Sequence, residues 1–166
     1  MSDRGPDQEV TPFRVFSTKD DLLTQAIVTR AEMDRDQVPE PTGQMEKDLE
    51  DLATMMVRVL AAGGHLLVRI LPETRGLSEE QQAAVRQAFS ETLETYAAVF
   101  RYYQSLGRLA PSIDDHISTI FVGPIMTAVL YAECWQQPVD SDVHQHAQSF
   151  LYGCGTEPRP PAPKTA

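Results

Sequence analysis

Met45-Glu46-Lys47-Asp48-Leu49-Glu50-Asp51-Leu52-Ala53-Thr54-Met55-Met56-Val57-Arg58-Val59 is the stretch that decides the fold. Its apolar residues Met45, Leu49, Leu52, Met56 and Val59 step by four, three, four and three. An α-helix turns once in about 3.6 residues, so this spacing collects the five side chains on one stripe. A strand would need alternation of apolar and polar residues, and no part of the chain shows it. The expected class is all-α.

Working outward, the same helix is expected to stop at Gly63-Gly64, and a short apolar segment from Leu66 to Leu71 to be halted by Pro72. Upstream lies a polar linker with Pro39, Pro41 and Gly43. Before it, Thr18 with Asp21 reads as a capping pair that satisfies amides left unpaired at a helix start. That helix runs from Ser17 or Thr18 to about Met33, with Leu22, Leu23, Ala26, Ile27 and Ala31 on its apolar face. Downstream, Ser78 with Gln81 opens a long helix to about Leu106. Its inward stripe is Val85, Phe89, Leu93, Tyr96, Phe100 and Tyr103, and Gly107 is its stop. Ser112 with Asp115 opens the next, whose apolar residues include Ile113, Ile117, Ile120, Phe121, Ile125, Ala128, Tyr131 and Trp135. Gly123-Pro124 should kink it, and Pro138 follows its end. A last helix, from about Ser141 to Tyr152, turns Val143, Ala147, Phe150 and Leu151 inward. The count is about six helices, then a proline-rich tail over 154–166 expected to be disordered.

At 166 residues the chain holds one domain. Its net charge of −10 opposes a polyanionic partner unless a basic patch is concentrated locally. None is visible: Arg4, Arg14 and Lys19 are offset by Asp3, Asp7 and Glu9. Cys134 and Cys154 are too few for a disulfide framework or a zinc cluster and suit a reducing cytoplasm. Charge or proline interrupts every long apolar run, so no membrane span is expected.

Catalytic groupings are missing from the sequence. No glycine-rich phosphate loop, Cys-x-x-Cys or Ser/His/Asp arrangement occurs. His144 and His146 are two residues apart, which on a helix points them to different faces, and no Glu-x-x-His occurs, so no metal site is expected. His65 reads as a solvated helix residue. The expectation is a non-enzyme without a cofactor.

Thr11-Pro12-Phe13-Arg14-Val15-Phe16-Ser17-Thr18-Lys19-Asp20-Asp21-Leu22-Leu23 resembles the junction of tetracycline-repressor-like (TetR family) regulators. There an aromatic-Arg-x-Phe-x-Ser/Thr-Lys-x-x-Leu string closes the DNA-recognition helix and opens the ligand-binding body. Further likeness lies in Leu67 to Phe89, in Gly107-Arg108-Leu109-Ala110-Pro111-Ser112-Ile113-Asp114-Asp115, and in Gln148-Ser149-Phe150-Leu151-Tyr152-Gly153. The order and lengths of the helices agree over roughly residues 13–153.

The resemblance implies a ligand-binding and dimerisation domain over 17–153, with 1–16 as a largely irregular remnant of the helix-turn-helix. Phe16 would be the apolar plug between domains, and Phe13 and Lys19 the remnant contacts to the DNA backbone. Asp7 and Glu9 stand where DNA should lie, Pro12 sits inside the recognition helix, and Phe13 lacks the usual polar group. DNA is therefore expected as a partner only through an upstream helix-turn-helix. In relatives, ligand tilts the first helix of the body, here Thr18–Met33, and the last two helices of each subunit pair in a four-helix bundle.

Independently, the 113–135 helix is apolar around much of its circumference, more than one core face needs. Ile117, Phe121, Ile125, Val129, Val143 and Phe150 are the expected homodimer interface. The expected partner is a small apolar or amphipathic effector. Candidate lining residues are Met55, Met56, Leu66, Ile70, Phe89, Tyr96, Phe100, Tyr103 and His116, although the same stripe also reads as solid core. The competing expectation is an interaction module that heterodimerises with an intact regulator.

Overall fold

The stripe beginning at Met45 becomes the floor of an all-α fold. A computed structural model describes residues 18–110, 117–139 and 141–155, with side chains described except at 64–71 and 117–118. The elements are α1 (Lys19–Arg35), α2 (Met45–Glu73), a 3-10 turn (Thr74–Gly76), α3 (Glu79–Ser105), α4 (Ile117–Trp135) and α5 (Val143–Cys154). No strand occurs among the described residues.

Local chemistry sets the helix starts. Thr18 accepts from the Asp21 amide at 3.0 Å to cap α1. Ser78 and Gln81 exchange the reciprocal bonds of a capping box at α3. Asp142 accepts from the Gln145 amide at 2.9 Å to cap α5. Helix α3 ends where expected, with Gly107 at a φ of +69° that L side chains rarely adopt.

Helix α2 does not end at Gly63-Gly64. It continues through both glycines to Glu73, merging the expected short segment into itself. A glycine terminates a helix when it takes positive φ, and among the described residues only Gly43 and Gly107 do so. Held in helical geometry, each glycine costs only about 1 kcal/mol relative to alanine, which a long packed helix absorbs. Pro72 lies in the last turn rather than beyond it.

Met45, Leu49, Leu52, Met56 and Val59 are all buried, and with α3, α4 and α5 they form the main core. Its centre is an aromatic triangle: Phe100 to Phe121 at 5.1 Å, Phe121 to Phe150 at 5.1 Å, and Phe100 to Phe150 at 5.5 Å between ring centroids. These edge and tilted geometries favour aromatic pairs beyond plain burial. His146 lies against Phe121, and its Nε2 donates to the Phe121 carbonyl at 2.9 Å.

The inward stripe of α3 is rotated from the expected one. Val85, Ala88, Thr92, Tyr96, Val99, Phe100 and Tyr103 are buried, whereas Phe89 and Leu93 are exposed. Helix α4 has three apolar faces. Phe121, Ile125, Val129 and Ala132 enter the core, Val122 and Met126 border a cavity, and Ile120, Tyr131 and Trp135 stand exposed. Pro124 sits within the helix on the exposed side. The carbonyl its missing N–H leaves unbonded belongs to Ile120, on that same outward face. Helix α5 runs two residues past Tyr152. Cys154 is buried, and its carbonyl accepts from the Ala110 amide at 3.1 Å, beside a bridge between Leu109 and Gly155. Cys154 and Gly155, expected in the tail, thus belong to the fold, while 156–166 lie outside the described residues, as do the Ser112–Asp115 capping pair and residues 1–17.

A polar clasp fastens the linker to the core. The Asp48 carboxylate, buried in the first turn of α2, accepts from the amides of Thr42 (2.7 Å) and Gly43 (3.2 Å), from the Thr42 hydroxyl (2.6 Å) and from the Tyr103 hydroxyl. Burial alone would raise this carboxyl; the hydrogen bonds outweigh it and hold it below the usual carboxylate range.

Candidate functional site

Helix α1 lies along α3 and contributes little to the main core. Only Ile27 and Ala31 are buried on it, and Ile27 forms a small second cluster with Leu77 and Val85, against which Leu23 packs. Polar links do the rest. Arg30 donates from Nη2 to the Val59 carbonyl of α2 at 2.9 Å and from Nε to Asp34 Oδ1 at 2.8 Å. Arg35 donates to the Ala88 carbonyl of α3 and pairs with Glu91 at 2.9 Å, and Gln81 donates to Asp21 at 2.9 Å.

Between α1 and the rest lies a cavity of about 220 Å³. Its walls come from α1 (Ile27, Arg30, Ala31, Asp34), α2 (Met56, Val59, Leu60, Gly63), α3 (Phe89, Thr92, Leu93, Tyr96) and α4 (Val122, Met126). A dry apolar cavity of about 150 Å³ holds benzene, so this one has room for a small organic molecule. It lies below the roughly 300–1,000 Å³ common for drug-sized ligands, so its occupant is small.

Few polar atoms face it. Thr92 donates to the Ala88 carbonyl at 2.9 Å and is thereby satisfied within its own helix. Burial raises the Asp34 carboxyl against the opposing pull of Arg30. Burial, then the charge of Asp34, push the Tyr96 phenol up to about 12, so it is a neutral O–H at physiological pH.

Of the expected lining residues, Met56, Phe89 and Tyr96 border the cavity. Met55, Phe100 and Tyr103 do not: all three are buried in the main core, and the Tyr103 hydroxyl is spent on Asp48. His116 and the side chains of Leu66 and Ile70 lie outside the described residues. Ala31 was expected only as part of the apolar face of α1, and Arg30 and Asp34 were not expected, since charged residues beside that face carry no periodic signal of their own.

The interface expectation needs a similar correction. Phe121, Ile125, Val129 and Phe150 are buried within this one chain, and Val143 packs half-buried against the same core. The four buried side chains leave no surface for a partner, whereas Val143 keeps part of its own. The available face of α4 is the neighbouring stripe, with Ile120 48% exposed, Tyr131 60% and Trp135 64%. Ile117's side chain and Phe13 lie outside the described residues. Lys19 is at the surface, its ammonium donating to Glu73 at 2.9 Å, and that bond raises its pKa.

Glu46, Glu50 and His144 bring their ligand atoms within 4.8 Å of one another across α2 and α5. Each is already engaged by protein: His144 with Glu50, and Glu46 with the Gln148 amide at 3.2 Å. The grouping is accounted for as a surface tie between two helices. No helix among the described residues is long and apolar enough to cross a membrane.

An all-α domain with a small apolar cavity under its first helix is thus the class of protein that fold and site define. No protein-family model and no curated protein matches the chain. Among solved structures it is similar to a protein described as a TetR family transcription regulator from Shewanella sp. PV-4. The TM-score is 0.58 at 21% identity, over 87% of this chain and 79% of that one. The chain shares that protein's helical fold.

Proposed function

We propose that this chain is the effector-sensing and dimerising body of a TetR-type transcription regulator. The observation that carries the reading is the cavity of about 220 Å³ lined jointly by α1, α2, α3 and α4. A ligand there touches α1 and the core at once, so its binding energy depends on where α1 sits. A ligand shifts a conformational equilibrium by its differential affinity for the two states, and this placement supplies that difference. The likeness of fold to a transcription regulator supports the regulatory setting. The exposed stripe of Ile120, Tyr131 and Trp135 supports pairing with a second copy, since apolar faces of this kind mark interaction sites.

The test is a thermal-shift screen with small apolar molecules on the wild type and on Ala31→Leu, which fills the cavity from α1. Hits that stabilise the wild type and lose their effect in the variant, with faster amide exchange changes in α1 than in α2, are the expected result. A cavity that no compound class stabilises would sink the reading.

A further inference from the structure

Two polar oxygens on cavity-lining residues take no hydrogen bond from a described residue, and together they define what the cavity accepts. This inference rests on the cavity being an effector site. Asp34 uses Oδ1 for Arg30, while its Oδ2 takes no hydrogen bond from any described residue. Tyr96 is only 6% exposed, and its hydroxyl also has no hydrogen-bond partner among the described residues. Both side chains line the cavity, near enough for the carboxylate's charge to bear on the phenol. The Tyr96 ring is buried while its hydroxyl opens onto the cavity, so both oxygens are free to bond whatever fills that space.

The chemistry of that something is narrow. Tyr96 remains a neutral O–H and offers a donor; ionised Asp34 offers an acceptor. A carboxylate ligand would meet the negative charge of Asp34, which already balances the charge of Arg30. An ammonium ligand would place a second cation beside Arg30 with only one carboxylate to share, leaving a poorly compensated charge in an apolar chamber. A neutral hydroxyl donates and accepts at once. The rest of the wall that such a molecule meets is Ile27, Val59, Leu60, Val122 and Met126.

We infer that the cavity takes a small, neutral, apolar alcohol or phenol, whose hydroxyl donates to Asp34 Oδ2 and accepts from the Tyr96 hydroxyl. The size sets the rest: more than a benzene ring, less than a drug-sized molecule.

The test compares four probes built on one propylphenyl frame by calorimetry and thermal shift: 4-propylphenol, propylbenzene, 4-propylbenzoate and 4-propylbenzylamine. The expected order puts the phenol first, at least about tenfold tighter than propylbenzene, as two net hydrogen bonds give. Tyr96→Phe should erase most of that preference and leave propylbenzene binding unchanged, which also shows that the variant's cavity is intact. Asp34→Asn, which keeps the shape and removes the charge, should weaken the phenol and spare propylbenzene. Equal binding of phenol and propylbenzene, or tighter binding of benzoate or benzylamine, overturns the hydroxyl assignment while the effector site stands. Failure of all four to bind overturns both.

Discussion

Replacing Asp48 by alanine tests whether the buried clasp, rather than apolar packing alone, fixes the α1–α2 linker to the core. The substitution removes the acceptor for four hydrogen bonds, from the Thr42 amide and hydroxyl, the Gly43 amide and the Tyr103 hydroxyl. Thr42 is exposed and Gly43 half-buried, so water can rehydrate both at a loss of about 0.5–1 kcal/mol each. Tyr103 is fully buried, and stranding its hydroxyl after a bond to a charged group costs about 2–3 kcal/mol. The expected total is about 3–5 kcal/mol, or roughly 10 °C in Tm for a chain of this size. Tyr103→Phe alone should cost about 1–2 kcal/mol, because the carboxylate keeps its backbone donors. The double variant should then recover about 1 kcal/mol relative to the sum of the singles, since no hydroxyl is left stranded. Chemical denaturation of the four proteins closes the cycle. Additive effects within about 0.5 kcal/mol, or an Asp48→Ala loss below about 1 kcal/mol, would refute the reasoning. The pH dependence has a sign as well. Since the folded carboxyl lies below its ordinary 3.8, its stabilisation is present above that value and is lost as pH falls through the lower folded one.

Two further outcomes are expected. Trp135→Glu with Tyr131→Glu should convert the proposed homodimer to monomer in sedimentation while leaving the helical signal intact, because both side chains are mostly exposed in the single chain; an unchanged sedimentation coefficient would count against the α4 face. For the surface tie between α5 and α2, Glu50 raises the His144 pKa above its ordinary 6.5, so the stabilisation is full below 6.5 and lost as pH rises through the higher folded value. His144→Gln should flatten that fall in Tm, and a variant that follows the wild-type curve would remove His144 as its source.

The helices were legible where short-range chemistry sets them. The stripe from Met45 to Val59, the Thr18 cap and the Ser78–Gln81 box all depend on residues within one or two turns, and each stands as expected. Gly63-Gly64 misled because glycine is a stop only in a left-handed conformation, which composition does not reveal. Helix α4 misled for another reason. With apolar residues on three sides, its pattern does not say which side meets the core, and packing chose Phe121, Ile125 and Val129. The cavity was half legible. Met56, Phe89 and Tyr96 have the right chemistry on strong stripes, whereas Arg30 and Asp34 gain their role only when α1 is laid against α2 and α3. Likewise, the meeting of His144 and Glu50 joins positions 94 residues apart, beyond the reach of any helical spacing.

The seat of Arg30 has a mechanical consequence. A Cβ built at Gly63 would stand 3.9 Å from the guanidinium, in ordinary contact, so α2 offers the arginine a shallow seat beside the Val59 carbonyl that would take alanine without displacing it. The domain therefore has two kinds of joint. Where α2, α4 and α5 meet, rings and branched chains interlock; where α1 lies along α3, apolar contact is joined by bonds from Arg30 and Arg35 that have a direction as well as a strength. On the proposed reading, a molecule enlarging the cavity would load the second kind of joint before the first.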